Sequence, residues 1–296
     1  MTEHDHVTSK AEQVDGKRSD VDKKLARQGL MLFFVLLVLL SATGFILAIG
    51  YRYPLGGALF MCAPGLASIV TRIVLREGIA DISLRLNMRR SWKLIVLSLL
   101  FPVLVGLLAY GTAWMTGWVD LEIPVSSIVA APAVHFGMLL LFQMSVGTAI
   151  GMLSSLGEEL GWRGYMLTRL IRAEVPYPLL VSGIIWGLWH VPVILAGSYY
   201  NGPYLALSLI LFMVTVTSAG YVVGYIRLQT GSIWPAVIFH AAWNAIIQDV
   251  FDAVSKGSEA FLWTGESGIL VAVVIWMVAC VISRRTTGVK WLQKYV

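Results

Sequence analysis

Charge is what this chain has least of: Asp, Glu, Lys and Arg make up 13% of its 296 residues, against 57% hydrophobic. A soluble domain carries charge on about a quarter of its residues, so that class is excluded and a polytopic membrane protein is indicated. Cysteine is nearly absent too. Cys62 and Cys280 fall inside separate apolar runs, and the topology below sets them toward opposite membrane faces, which rules against a disulfide. There is no G-x-S-x-G, no C-x-x-C, no H-E-x-x-H and no phosphate loop, which disfavours a serine hydrolase, a redox enzyme, a zincin and a nucleotide-driven pump. No basic leader with a short apolar core stands at the N-terminus, so the first apolar run reads as a retained span.

What is present is a series of apolar runs, each long enough to cross a hydrocarbon core of about 30 Å as about 20 helical residues. They fall near Leu30–Gly50, Leu55–Leu75, Leu94–Trp114, Ile128–Leu153, Leu179–Gly197, Tyr204–Ile226, Ile233–Val250 and Gly268–Ser283. The runs are continuously apolar and lack the alternation of a membrane strand. The expected fold is therefore all-α, a bundle of about eight transmembrane helices over residues 28–283. Residues 1–27 are rich in charge and poor in apolar side chains, as a disordered cytoplasmic tail would be, and residues 284–296 form a second cytoplasmic tail. His4 and His6 read as surface histidines.

Lys and Arg set the orientation. With the N-terminus inside, the inner side collects the tail lysines and arginines, then Arg76, Arg85, Arg89, Arg90 and Lys93, then Arg163, Arg169 and Arg172, then Arg227, and finally Arg284, Arg285, Lys290 and Lys294. The outer side keeps Arg52 and Lys256. This asymmetry puts both termini in the cytoplasm of a multi-pass protein of the cell membrane. The net charge of +5 follows from that topology and does not call for nucleic acid. Arg76–Lys93 and Tyr165–Arg172 mix Arg with Leu, Ile and Met, as helices lying in the headgroup region do; the first reads equally well as an ordinary basic loop. Gly147 with Gly151, Gly183 with Gly187, and Gly220 with Gly224 are small residues four apart that let helices approach closely in lipid. Tyr51, Tyr53, Trp92, Trp118, Tyr199 and Tyr200 read as interface anchors.

Ionisable residues within spans are costly and tend to face a protein interior or a cavity. The stretch Gly157–Arg163, G-E-E-L-G-W-R, holds three of them at the end of the fourth run. Glu159 and Arg163 are four apart and share a helix face, where they can pair, either as an anchor at the helix end or as part of a site. Glu158 lies about 100° round from that face and has no cation three or four residues away. Of the span histidines, His135 lies about 34 Å of straight helix from Glu158 and belongs elsewhere. His190 follows Trp186 by one turn, and His240 precedes Asn244 by one turn; by depth both can converge with Glu158 on a pocket open to the inner side. His240 and Asn244 could equally be an interhelical hydrogen-bonded pair. A carboxylate and an imidazole can position and deprotonate water, and an imidazole and an amide can stabilise an oxyanion. Zinc ligation by Glu and His stays open.

The order E-E-x-x-x-R at Glu158, Glu159 and Arg163, aromatic-x-x-x-H at Trp186 and His190, and H-x-x-x-N at His240 and Asn244 resembles the three motifs of the CPBP family. That family comprises type II CAAX prenyl endopeptidases and bacteriocin-processing and immunity proteins, formerly the abortive-infection proteins. The resemblance covers about 127–250, with Trp186 where phenylalanine is more usual. It implies a glutamate-type intramembrane endopeptidase that uses no metal and no cofactor. Glu158 would be the base, His190 its partner on water, and His240 with Asn244 the oxyanion site, with Glu159, Arg163 and Trp186 in support. The substrate would be a peptide or protein, membrane-anchored in some members, met in the lipid bilayer and without nucleic acid. A non-catalytic immunity or scaffold protein is the alternative, and a proton-coupled transporter a third reading.

Overall fold

The structure, a computed structural model, describes residues 3–86, 88–125, 131–197 and 203–286, with side chains from Asp20 onward except at Arg90. The expected start of the fourth span at Ile128, the anchors Tyr199 and Tyr200, and residues 287–296 of the second tail lie outside these. Helix α1 runs Glu3–Phe45 and passes into a π turn at Ile46–Gly50. Helix α2 is Pro54–Val74, opened by a proline whose missing N–H costs nothing in a first turn. Helix α3 is Met88–Thr116. Next come α4 (Pro132–Phe142), α5 (Thr148–Gly161) and α6 (Leu167–Arg172), joined by π turns at Gln143–Gly147 and Trp162–Met166. Together they make one rod of 41 residues, Pro132–Arg172. Helices α7 (Pro178–Leu195), α8 (Leu205–Thr230) and α9 (Trp234–Trp243) follow, α9 continuing as a π segment over Asn244–Asp252. A four-residue α10 (Ala260–Trp263) and α11 (Ile269–Arg285) complete the chain. Two short strands, β1 (Asp120–Leu121) and β2 (Ser255–Lys256), pair antiparallel and tie the end of α3 to the connection before α11.

The chain is a helical membrane bundle. Among the described residues, six helices are long and apolar enough to cross a membrane. The last two expected spans are helical where the sequence placed them. However, α9 with its π segment is interrupted by polar groups, and α11 has 17 residues.

The stretch read as a tail to Arg27 has a helical backbone from Glu3, and from Ala26 to Phe33 the same helix docks into the core. Two local expectations are corrected. Arg76–Lys93 is no interfacial helix. The left-handed residues Arg76 and Ser83 break it into a turn and a short 3-10 helix at Ala80–Ile82, before α3 begins at Met88. Tyr165–Arg172 is helical but enclosed by protein rather than laid on its surface: Tyr165, Met166, Leu167 and Arg169 are buried, and Arg169 meets Glu77 and Asp81 there.

The central crossing sets the acidic pair in place. At α2–α5, a Cβ on Gly65 would stand 2.3 Å from the Gly157 carbonyl oxygen, and one on Gly161 2.4 Å from Pro64. The glycines flanking Glu158 and Glu159 thus let two backbones touch, in the small-residue packing that replaces a hydrophobic drive within lipid. At α7–α8, Gly183 and Gly220 meet in the same way, a Cβ on Gly220 falling 2.7 Å from Gly183 Cα. Gly151 rests on Ala241, which brings α9 and its histidine beside α5.

Candidate active site

Glu158 is held by tryptophans. Its Oε2 accepts the indole N–H of Trp162 at 3.2 Å and that of Trp186 at 3.0 Å, and the residue is 3% exposed. Trp162 lies one turn beyond Glu158 on the same helical run, and Trp186 reaches it from α7. Neutral donors fix the direction of this carboxylate without cancelling its charge. Sequence reading placed Trp186 here as support but missed Trp162, although its spacing of four from Glu158 was a usable signal.

Glu159 and Arg163 pair as their spacing requires, at 2.7 Å between Oε1 and Nη1. Both are wholly buried. The same Oε1 also accepts from Nδ1 of His240 at 3.0 Å, and the Arg163 guanidinium lies 4.3 Å over the Trp186 ring. Glu159 therefore orients His240 as well as matching Arg163. Because a carboxylate only accepts, the His240 proton sits on Nδ1, leaving Nε2 as the atom that can serve the cavity. Glu159 Oε2 and Nε and Nη2 of Arg163 have no protein partner.

His190 is oriented by its own helix. Its Nδ1 lies 2.9 Å from the Trp186 carbonyl, which again puts the proton on Nδ1. Its ring packs edge-on against Trp189 and Phe212.

Glu158, His190, His240 and Asn244 all line one cavity of about 430 Å³. The fourth expected site residue, Asn244, stands half-buried where α9 passes into its π segment. The cavity extends along Phe212, Val193 and Gln248 to Phe45, Ile49 and Gly57, at the α1–α2 connection, where Ile49 and Gly57 are exposed. Two polar groups of this far half were not foreseen, Glu266 and Gln248. Glu266 stands in the turn before α11, far from every motif in the sequence.

The basic side is filled by protein. Arg72 donates to Asp81 at 2.6 Å, to the Gly78 carbonyl at 2.6 Å and to the Gly164 carbonyl at 2.9 Å. Arg169 donates to Glu77 at 2.7 Å and also to Asp81, and Arg227 donates to the Asp81 carbonyl at 2.9 Å. Burial pushes the Asp81 carboxyl up, but its hydrogen bond from Arg169 and the charges of Arg169 and Arg72 outweigh that and hold it below the ordinary carboxylate range. Through Gly164 this network braces the π turn that follows the acidic pair.

His135 stays out of the site, as its distance along the helix required: its Nδ1 lies 2.8 Å from the Pro124 carbonyl. Among the described residues, no three His, Cys, Asp or Glu side chains are arranged to hold a metal ion. Cys62 and Cys280 are free thiols.

Comparison with known proteins places the motifs in a family. Residues 139–246 match the model described as "Type II CAAX prenyl endopeptidase Rce1-like". A curated protein named CAAX prenyl protease 2, from Methanococcus maripaludis, is 32% identical over 109 residues, covering 33% of this chain and 40% of that protein. That match spans well under two thirds of the relative's length, and the family match, 139–246, contains every motif residue from Glu158 to Asn244. The matched segment, which carries the site, is similar to that family.

Proposed function

We propose that this chain, whose central segment is similar to the CPBP family, is an intramembrane endopeptidase that cleaves a peptide bond with a water activated by Glu158 and His190. The observation that carries the reading is the setting of Glu158: a buried carboxylate steered by two indole N–H groups into a cavity that also holds two histidines and an amide. A purely structural acid would be expected to face a cation, as Glu159 does.

In this reading a water lies between the Glu158 carboxylate and Nε2 of His190. Glu158 takes its proton as the water oxygen attacks the scissile carbonyl. The oxygen that becomes negative receives hydrogen bonds from the Asn244 amide and from Nε2 of His240 in its protonated form. The proton then passes from Glu158 to the leaving nitrogen, and the C–N bond breaks. Glu159, anchored by Arg163, keeps His240 in register. Metal-free chemistry is favoured because Glu158 Oε2 is committed to two N–H donors, contacts that suit general-base use better than ligation of an ion.

The Lys and Arg distribution supports a cell-membrane protein with both termini in the cytoplasm. A membrane-anchored peptide or protein is the substrate class that such a site would meet.

The test is to purify the protein, capture substrates with Glu158→Gln and identify them by mass spectrometry, then follow their cleavage by wild type after exhaustive chelation. Cleavage that survives chelation and is lost in Glu158→Gln upholds the reading. About one zinc per chain, with activity lost on chelation and restored by zinc, overturns it.

A further inference from the structure

We propose that the groove between α7, α8 and α11 is a binding site for an anionic phospholipid, with one acyl chain laid along α8 and the phosphate at the Arg284–Arg285 end of α11. This site is independent of the peptidase reading: its α8 residues, among them Leu209, Met213 and Tyr221, are not those that line the Glu158 cavity.

Helix α8 packs against both α7 and α11, and the three enclose a groove of about 1180 Å³. From Leu209 to Tyr221 it follows α8 for about 18 Å. That is a little more than half of a hydrocarbon core of about 30 Å, the depth that one acyl chain of one leaflet occupies.

Polarity changes along the groove as it does along a phospholipid. Toward the start of α8 the walls are apolar, and Ile210 and Trp276 are exposed there. Toward the end of α11 the lining turns to hydroxyls, Ser283 with Tyr221 and Thr286, whose Oη and Oγ1 lie 2.6 Å apart and bridge α8 to the end of α11. Tyr177 stands exposed at this rim, where an aromatic ring with a polar tip sits at headgroup level.

Charge follows the same gradient. Arg284 and Arg285, both exposed, fall between the lining residues Ser283 and Thr286 in the last turn of α11. Glu174, two residues before Pro176 of the rim, is matched by Lys23 at 2.9 Å. Basic groups between helices at one end of a bundle suit a phospholipid phosphate, and their long stems let the charge reach the headgroup layer. Residues 287–296 add Lys290 and Lys294 and no acidic side chain, so the chain's own tail matches this rim in sign and is the poorer occupant.

The test uses the full-length protein, delipidated in detergent and titrated with phosphatidylglycerol or phosphatidylcholine of the same acyl chains. Retention is read by native mass spectrometry and by the thermal midpoint, which a ligand of the folded state raises. Phosphatidylglycerol should saturate at about one per chain and bind at least about tenfold more tightly than phosphatidylcholine, as two arginines beside a headgroup allow. Arg284→Gln with Arg285→Gln should bring the two lipids within about twofold of each other, and Val214→Trp, which fills the groove, should weaken both. Equal affinities in wild type, a preference that survives the double arginine change, or phosphatidylglycerol binding unmoved by Val214→Trp would overturn the site. So would inorganic phosphate that raises the midpoint as far as phosphatidylglycerol does, the mark of a free-anion site. Lipid retention that appears only after truncation at Thr286 would make the tail the occupant and overturn it as well.

Discussion

Two regions of this molecule bury carboxylates, and they differ in what holds them. At the basic end, Asp81 and Glu77 are met by Arg72, Arg169 and Arg172; these charges close a network that stitches the 76–87 loop to α2, α6 and α8. In the cavity, Glu158 is held by two indole N–H groups, which direct a carboxylate without pairing it to a cation. Guanidinium partners turn an acid into a structural clamp, whereas neutral donors keep it available for a proton or a ligand. Glu159 stands between the two, wholly buried, with one oxygen shared by Arg163 and His240.

The comparison breaks most sharply at Glu158. Glu158→Gln preserves the acceptor for both indoles while removing the base, so activity on a captured substrate should fall at least about 100-fold with the protein still folded and inserted. A loss below tenfold would place Glu158 with the clamping acids. The reciprocal change is Asp81→Asn, which leaves Arg72 and Arg169 short of their shared anion. Breaking a buried pair on one side costs about 3 kcal/mol or more, so the thermal midpoint in detergent should drop by several degrees. Residual folded protein should keep kcat within a few fold; a variant that is thermally unchanged but inactive would reverse the two roles.

A smaller effect is expected at Trp186→Phe. One of the two donors to Glu158 is lost while a ring stays beneath Arg163, and a single hydrogen bond to a charged group is worth about 1.5 kcal/mol or more. Activity should drop about tenfold, and the double change with Trp162→Phe should cost more than the two single changes added together. The smallest effect concerns acid. Because the folded-state carboxyl of Asp81 lies below its unfolded value, the stability it contributes is present above the unfolded value of about 3.9 and is lost as pH falls through the folded one. The midpoint of wild type should therefore slope downward below about pH 4, and Asp81→Asn should flatten that slope. An equal slope in both proteins would show that other groups set the acid limit.

Much of this was legible along the chain because it follows from local period and local cost. Continuous apolar runs bounded by Lys and Arg determine a helical membrane bundle, since a barrel, the other backbone that satisfies its own hydrogen bonds in lipid, needs alternating strands. A spacing of four determines the Glu159–Arg163 pair, and helical rise alone separates His135 from the site. The motif spacings brought Glu158, His190, His240 and Asn244 to one expected pocket, and the structure lines one cavity with all of them. What only the tertiary structure decided are contacts between segments distant in sequence. Trp186 reaches Glu158 across 28 residues, Glu159 reaches His240 across 81, and Asp81 gathers arginines from across the bundle. The presence of Glu266 and of α1 and α2 residues in the cavity lining follows from how α1, α2 and the turn before α11 pack near α7 and α9. Nothing in the period or charge of a single segment encodes that packing, because it depends on where two backbones can approach at Gly65, Gly157 and Gly161.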